Sequence, residues 1–133
     1  MIAEHGETSA GLEIRPLATV DDAVVASDVL ARVWGGDRAA MPPQLLRAMA
    51  HAGSYTVGIW REAEMVGASV AFFGAPPERT MHSHITGVLP EHQGRGVGRL
   101  LKQHQREWAL ARDVGTTVRA HLLTGEACVA EEA

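Results

Sequence analysis

A chain of 133 residues is long enough for one domain with a sizeable core, and 46% hydrophobic against 21% charged residues is an ordinary balance for a globular protein. A formal net charge of -4 argues against a general binder of nucleic acid or of an anionic membrane. The single cysteine, Cys128, excludes an internal disulfide and suits a reducing compartment; with no membrane-length apolar run and no basic-then-apolar opening, cytoplasm is the expected location and no membrane the expected partner.

Residues 1–10 are polar, small and patternless, and are expected to form a flexible arm. Leu12, Ile14 and Leu17 suggest a short first strand, interrupted by Pro16. Thr19 with Asp22 three residues on has the spacing of a capping box, and Ala23, Ala26, Leu30, Val33 and Trp34 then recur at helical spacing up to Gly35-Gly36. Pro42-Pro43 can open a second helix, with Leu45, Leu46, Met49 and Ala50 on one face and Gly53 as its end. From Ser54 the period falls to two. Tyr55, Val57 and Ile59 mark a strand, Met65 to Phe73 a second, and Thr80 to Leu89 a third, joined by connections short enough for antiparallel pairing.

That third strand runs into Pro90-Glu91-His92-Gln93-Gly94-Arg95-Gly96-Val97-Gly98-Arg99, where glycines crowd a turn and a helix begins at once. A helix start presents unpaired N–H groups and the positive end of the macrodipole, which suits phosphate. Glycine lets an anion approach those groups closely. The helix carries an apolar stripe of Val97, Leu100, Leu101, His104, Trp108 and Ala111, Gly115 ends it, and Thr116 to Leu123 reads as one more strand. This last β–α–β unit predicts a parallel pair with a right-handed crossover. Residues 124–133 are small and acidic and are read as an irregular tail.

Two other glycine-loop readings fail on spacing. A P-loop requires Gly-Lys-Ser/Thr at its end, whereas Gly98 is followed by Arg99-Leu100. A dinucleotide fingerprint belongs after the first strand with the spacing Gly-x-Gly-x-x-Gly, whereas these glycines fall at 94, 96 and 98. Gln93-Gly94-Arg95-Gly96-Val97-Gly98, with Val88-x-Pro90 before it and Arg99-Leu100-Leu101 after it, resembles the Gln/Arg-x-x-Gly-x-Gly/Ala motif of the acyl-CoA-dependent N-acetyltransferases of the GNAT superfamily. The strand from Met81 and the helix through Gln105 to Arg112 are most similar to a bacterial branch of that superfamily, which leaves the acceptor open.

The resemblance implies an α/β fold, a mixed sheet in the order β-α-α-β-β-β-α-β flanked by helices, over residues 11–123. It implies acetyl-CoA as co-substrate, no metal, and transfer of the acetyl group to a primary amine by direct attack through a tetrahedral intermediate. By position, Gln93, Gly94, Arg95, Gly96, Val97 and Gly98 would hold the pyrophosphate through their N–H groups, with Arg95 and Arg99 adding charge. Lys102 and Arg106, farther along that helix, read as solvated surface. Thr86, Gly87 and Val88 would supply main-chain groups to the pantetheine arm, the Val88 N–H lying where it could stabilise the oxyanion. Cys128 has no part in such a reaction.

Amine attack requires a base. His82 and His84, two apart on the strand, share a face, and an imidazole titrates in the right range; His84, nearer the thioester, is the first candidate. Two-residue alternation selects a face and not a role, so packed or half-exposed histidines fit the pattern equally. Glu91 and His92 fall near the expected pocket mouth, and a metal held by His82, His84 and His92 lacks supporting cysteine or carboxylate spacing. Trp34, Met41, Leu45 and Trp60 could line an acceptor pocket or simply be core.

The chain departs from the family pattern in lacking the helix and two strands that follow the fifth strand, and in having its only tyrosine, Tyr55, on an early strand. This reads as a C-terminally shortened member whose missing side a second copy could cover, as a homodimer over the edge carrying Leu122 and Leu123. A catalytically incomplete acyl-CoA-binding or regulatory module is the alternative expectation, and a plain structural domain with no CoA affinity a third.

Overall fold

A computed structural model describes residues 6–7, 11–35, 41–114, 116–119 and 130–132. One sheet organises them, with strands in sequence order: β1 (Gly6–Glu7), β2 (Leu12–Pro16), β3 (Tyr55–Arg61), β4 (Glu64–Phe73), β5 (Thr80–Val88), β6 (Thr116–Arg119) and β7 (Ala130–Glu132). All neighbours are antiparallel except β5 and β6, which run parallel on either side of helix α3 (Val97–Ala111). The mixed sheet and the element order between β2 and β6 match the sequence reading. Two- and three-residue strands carry no readable period, and so β1 and β7 emerge within the segments read as an arm and a tail.

Helix α1 (Val20–Trp34) begins on the expected box: Asp22 N–H donates to Thr19 Oγ1 at 3.0 Å while the Asp22 carboxylate accepts from Thr19 N–H at 3.3 Å. Gly35 closes it at φ 67°, a left-handed value that glycine adopts without strain. Helix α2 (Pro43–His51) turns only Leu46 fully inward; Leu45, expected on its buried face, is 46% exposed.

Side-chain alternation sends the two faces of the sheet into two cores. Leu12, Ile14, Tyr55, Val57, Ile59, Met81 and Val88 pack with Val97, Leu101, Trp108 and Ala109 of α3. Trp60, Ala68, Val70 and Ile85 pack with Ala26, Leu30, Met41 and Leu46 on the side of α1 and α2. On α3 the buried stripe is Val97, Leu101, His104, Gln105, Trp108 and Ala109; Ala111 of the expected stripe is exposed. Residues 120–129, with Leu122, Leu123 and Cys128, lie outside the described residues. The far edge of β6 is paired with β7 from Thr116 to Val118, so that stretch is not an open edge.

Candidate active site

The turn between β5 and α3 is built from conformations that select its glycines. After a single 3-10 turn (Pro90–His92), Gly94 and Gly96 adopt φ of 75° and 79°, and a Cβ on either would meet nothing within 4 Å. They are required by backbone angle, not by crowding. Gly98 has an ordinary helical backbone, and the nearest atom to an added Cβ is Val88 Cγ2 at 3.9 Å. Gly96 is the N-cap and has no side chain to donate to; the first intrahelical bond is Leu100 N–H to Gly96 O at 3.0 Å. The N–H groups of Val97, Gly98 and Arg99 therefore precede the helical ladder, uncapped, beside exposed Arg95 and Arg99. Such a helix start can seat an anion.

Gln93 is bonded through both backbone and side chain: its N–H donates to Pro90 O at 3.3 Å. Its Nε2 donates to Val88 O at 2.9 Å, tying the turn to the end of β5. That carbonyl points away from β4, and the ladder explains why. Leu89 N–H donates to Val66 O on the β4 side at 2.9 Å, so Val88 and Thr86, alternating with Leu89, direct their main-chain groups to the opposite edge. There β6 pairs only with Thr80 to Ser83. From His84 to Val88, among the described residues, no strand covers that edge. An extended chain with amide groups could pair there, next to the uncapped helix start. Gly87, between the two, is pressed on α1: a Cβ would lie 3.1 Å from Leu30 Cδ2 and from Val33 Cβ.

A β-bulge interrupts this strand. Val70 pairs with Ile85 but Ala71 pairs with Ser83, leaving His84 as the extra residue. The bulge inverts the alternation: Met81 and Ser83 face α3 before it, and Thr86 and Val88 face α3 after it. His82 and His84 lie on the other face, half-buried, with ring centroids 5.7 Å apart and both against Phe72, at 4.8 and 5.8 Å. Burial, and then the charge of His82 beside it, hold the His84 pKa below the ordinary imidazole value. The neutral, proton-accepting form of His84 is therefore favoured.

The remaining candidates fall into place around these features. Met41 and Trp60 are core, Trp60 under the Arg15 guanidinium at 3.8 Å; Trp34 is partly buried at the end of α1 and Leu45 faces outward. Glu91 lies 3.6 Å from Arg32, and His92 lies 3.6 Å from Glu64, away from the other two histidines. Among the described residues no group of three His, Cys, Asp or Glu side chains is placed to hold a metal ion, and no helix is long and apolar enough to cross a membrane. Arg106 is exposed as expected, but Lys102 is not the solvated residue its spacing suggested: its ammonium donates to Ser83 Oγ at 2.8 Å. Sequence reasoning also missed Phe72 and Ser69, whose places near the bulge follow from strand register, and Gln105, which α3 sets against Ser69 at 3.4 Å.

Residues 24–126 match the model of the Acetyltransferase (GNAT) family, and the chain belongs to that family. Its fold is similar to that of several solved acetyltransferases. An aminoglycoside acetyltransferase from an uncultured soil metagenomic sample, in complex with trehalose, superposes with a TM-score of 0.75 at 14% identity, over 89% of this chain and 82% of that one. The PaiA N-acetyltransferase from Thermoplasma acidophilum in complex with coenzyme A gives 0.69 at 11% identity, over 84% and 80%. A ribosomal-protein alanine N-acetyltransferase from Escherichia coli gives 0.65 at 18% identity; the match covers 81% of this chain and 65% of that one. Comparison with curated proteins gives no match.

Proposed function

We propose that the chain transfers an acetyl group from acetyl-CoA to a primary amine. The observation that carries this reading is the junction of an uncapped helix start, opened by Gly94 and Gly96, with the uncovered edge of β5 at Thr86 and Val88. The pyrophosphate would lie on the N–H groups of residues 94–98, the Gln93 N–H being bonded to Pro90 O, with Arg95 and Arg99 adding charge. The pantetheine would extend along β5, taking the main-chain groups of Thr86 and Val88 that point out of the sheet. A fold neighbour crystallised with coenzyme A supports the ligand class.

The amine nitrogen attacks the thioester carbonyl, the C–N bond forms, and the Val88 N–H stabilises the oxygen that takes up charge. Collapse breaks the C–S bond. The nitrogen gives up a proton to neutral His84, directly or through water, and the departing thiolate takes one from solvent or from the protonated imidazole. Burial, and then the neighbouring His82, disfavour the charged imidazole and favour the free base.

Thiol release from acetyl-CoA, measured over a panel of primary amines, tests the proposal. Amine-dependent release, reduced about 100-fold by His84→Ala, is the expected result for a general base. Saturable acetyl-CoA binding with no release for any amine would favour a binding or regulatory module instead.

A further inference from the structure

On the face turned to α3, the His84 bulge is flanked by polar side chains. Ser83 and Thr86, the residues that face α3 on its two sides, are small hydroxyl side chains beneath a helix that presents Lys102 and Gln105 there. Lys102 Nζ donates to Ser83 Oγ at 2.8 Å. Ser69 Oγ and Thr86 Oγ1 share a hydrogen bond of 2.7 Å, and Gln105 Nε2 reaches Ser69 Oγ at 3.4 Å. Ser69, Ser83 and Gln105 are all buried. Buried polar groups need their partners, and a one-residue slip of β5 would carry each hydroxyl to the wrong face. Past Ser83, among the described residues, β5 pairs with β4 alone.

We propose that these two tethers, Lys102–Ser83 and Gln105–Ser69–Thr86, are positioning elements that fix the aim of the His84 imidazole and the line of the Thr86–Val88 edge. The inference rests on the acyl-CoA reading for the edge, but for the imidazole it stands independently of any ligand. Ser83, Ser69 and Gln105 then act through other residues, and the Thr86 side chain serves a purpose separate from its main chain.

The test compares wild type with Thr86→Val, which keeps the shape and loses the hydroxyl, Thr86→Ser, which restores it, and Ser83→Ala, which leaves the Lys102 charge in place. Each is read by calorimetric titration with acetyl-CoA and by the pH titration of the His84 ring proton in NMR. Thr86→Val is expected to weaken acetyl-CoA about tenfold, the scale of one lost hydrogen bond, with Thr86→Ser within about twofold of wild type. Both Thr86→Val and Ser83→Ala are expected to move the His84 midpoint toward the ordinary imidazole value as the ring leaves its half-buried seat. If Thr86→Val fails to fold, Ser83→Ala with its unchanged charge decides by the same NMR readout. Wild-type affinity together with an unmoved His84 titration in both variants would overturn the tethers. A wild type that binds no acetyl-CoA would overturn the proposed function, and the tethers would then stand or fall on the His84 titration alone.

Discussion

The two ends of α3 are built on opposite plans. At its C-terminal end aromatic side chains interlock: Trp108 stacks on Phe73 at 5.6 Å, meets the edge of Tyr55 at 5.1 Å and carries the Arg112 guanidinium 3.8 Å above its ring. The Tyr55 hydroxyl is bonded to His104 Nδ1 at 2.9 Å, buried between helix and sheet. At the N-terminal end side chains are few, backbone N–H groups stand uncapped, and two glycines hold left-handed angles. One end spends its residues on packing, and the other leaves hydrogen-bonding capacity open to a ligand. Stability and binding should therefore separate along this one helix.

Trp108→Ala should break the separation from the packed side. Losing three aromatic or cation contacts in the core should cost ~3–5 kcal/mol in denaturant unfolding, while the acetyl-CoA affinity of the fraction that folds stays within about threefold of wild type. At the other end, Gly96→Ala forces a side chain onto a φ of 79° and should cost about 1–2 kcal/mol, with acetyl-CoA binding lost as the helix start reorganises. Gly98→Ala sharpens the contrast inside one loop. With ordinary backbone angles and 3.9 Å to the nearest neighbour, it should leave stability within ~0.5 kcal/mol of wild type or raise it.

Smaller effects follow from titration. Burial raises the Tyr55 pKa above its ordinary value, so the unfolded chain loses that proton before the folded one does. Stability from this group is complete below about pH 10 and falls as pH rises beyond it. Tyr55→Phe should cost about 1 kcal/mol at neutral pH and flatten the alkaline decline of the melting temperature. The smallest effect belongs to the histidine pair. His82→Ala removes the weaker of the two causes that lower the His84 pKa, so the His84 NMR midpoint should rise while staying below the free imidazole value.

Much of this could be read in the chain, and the rest could not for identifiable reasons. The glycine turn was legible because left-handed angles admit few residues other than glycine, and the α3 stripe because its period holds from Val97 to Trp108. The bulge was not. The letters from Met81 to Val88 alternate as in a regular strand, and only the register against β4 shows that His84 is surplus and that the facing reverses. Lys102 carried the signature of a solvated charge until the fold set Ser83 beneath it. Leu45 illustrates the opposite error: it stands about 100° around the helix from Leu46, and only Leu46 turns inward.

The claim that the open end of α3 is a seat for the acyl-CoA substrate is tested most directly by thermal unfolding with increasing acetyl-CoA. The account requires the midpoint to climb with the logarithm of ligand concentration, with about 2.7 kcal/mol of added stability when free ligand is a hundred times Kd. A cooperative transition whose midpoint ignores saturating acetyl-CoA and free CoA alike would contradict it.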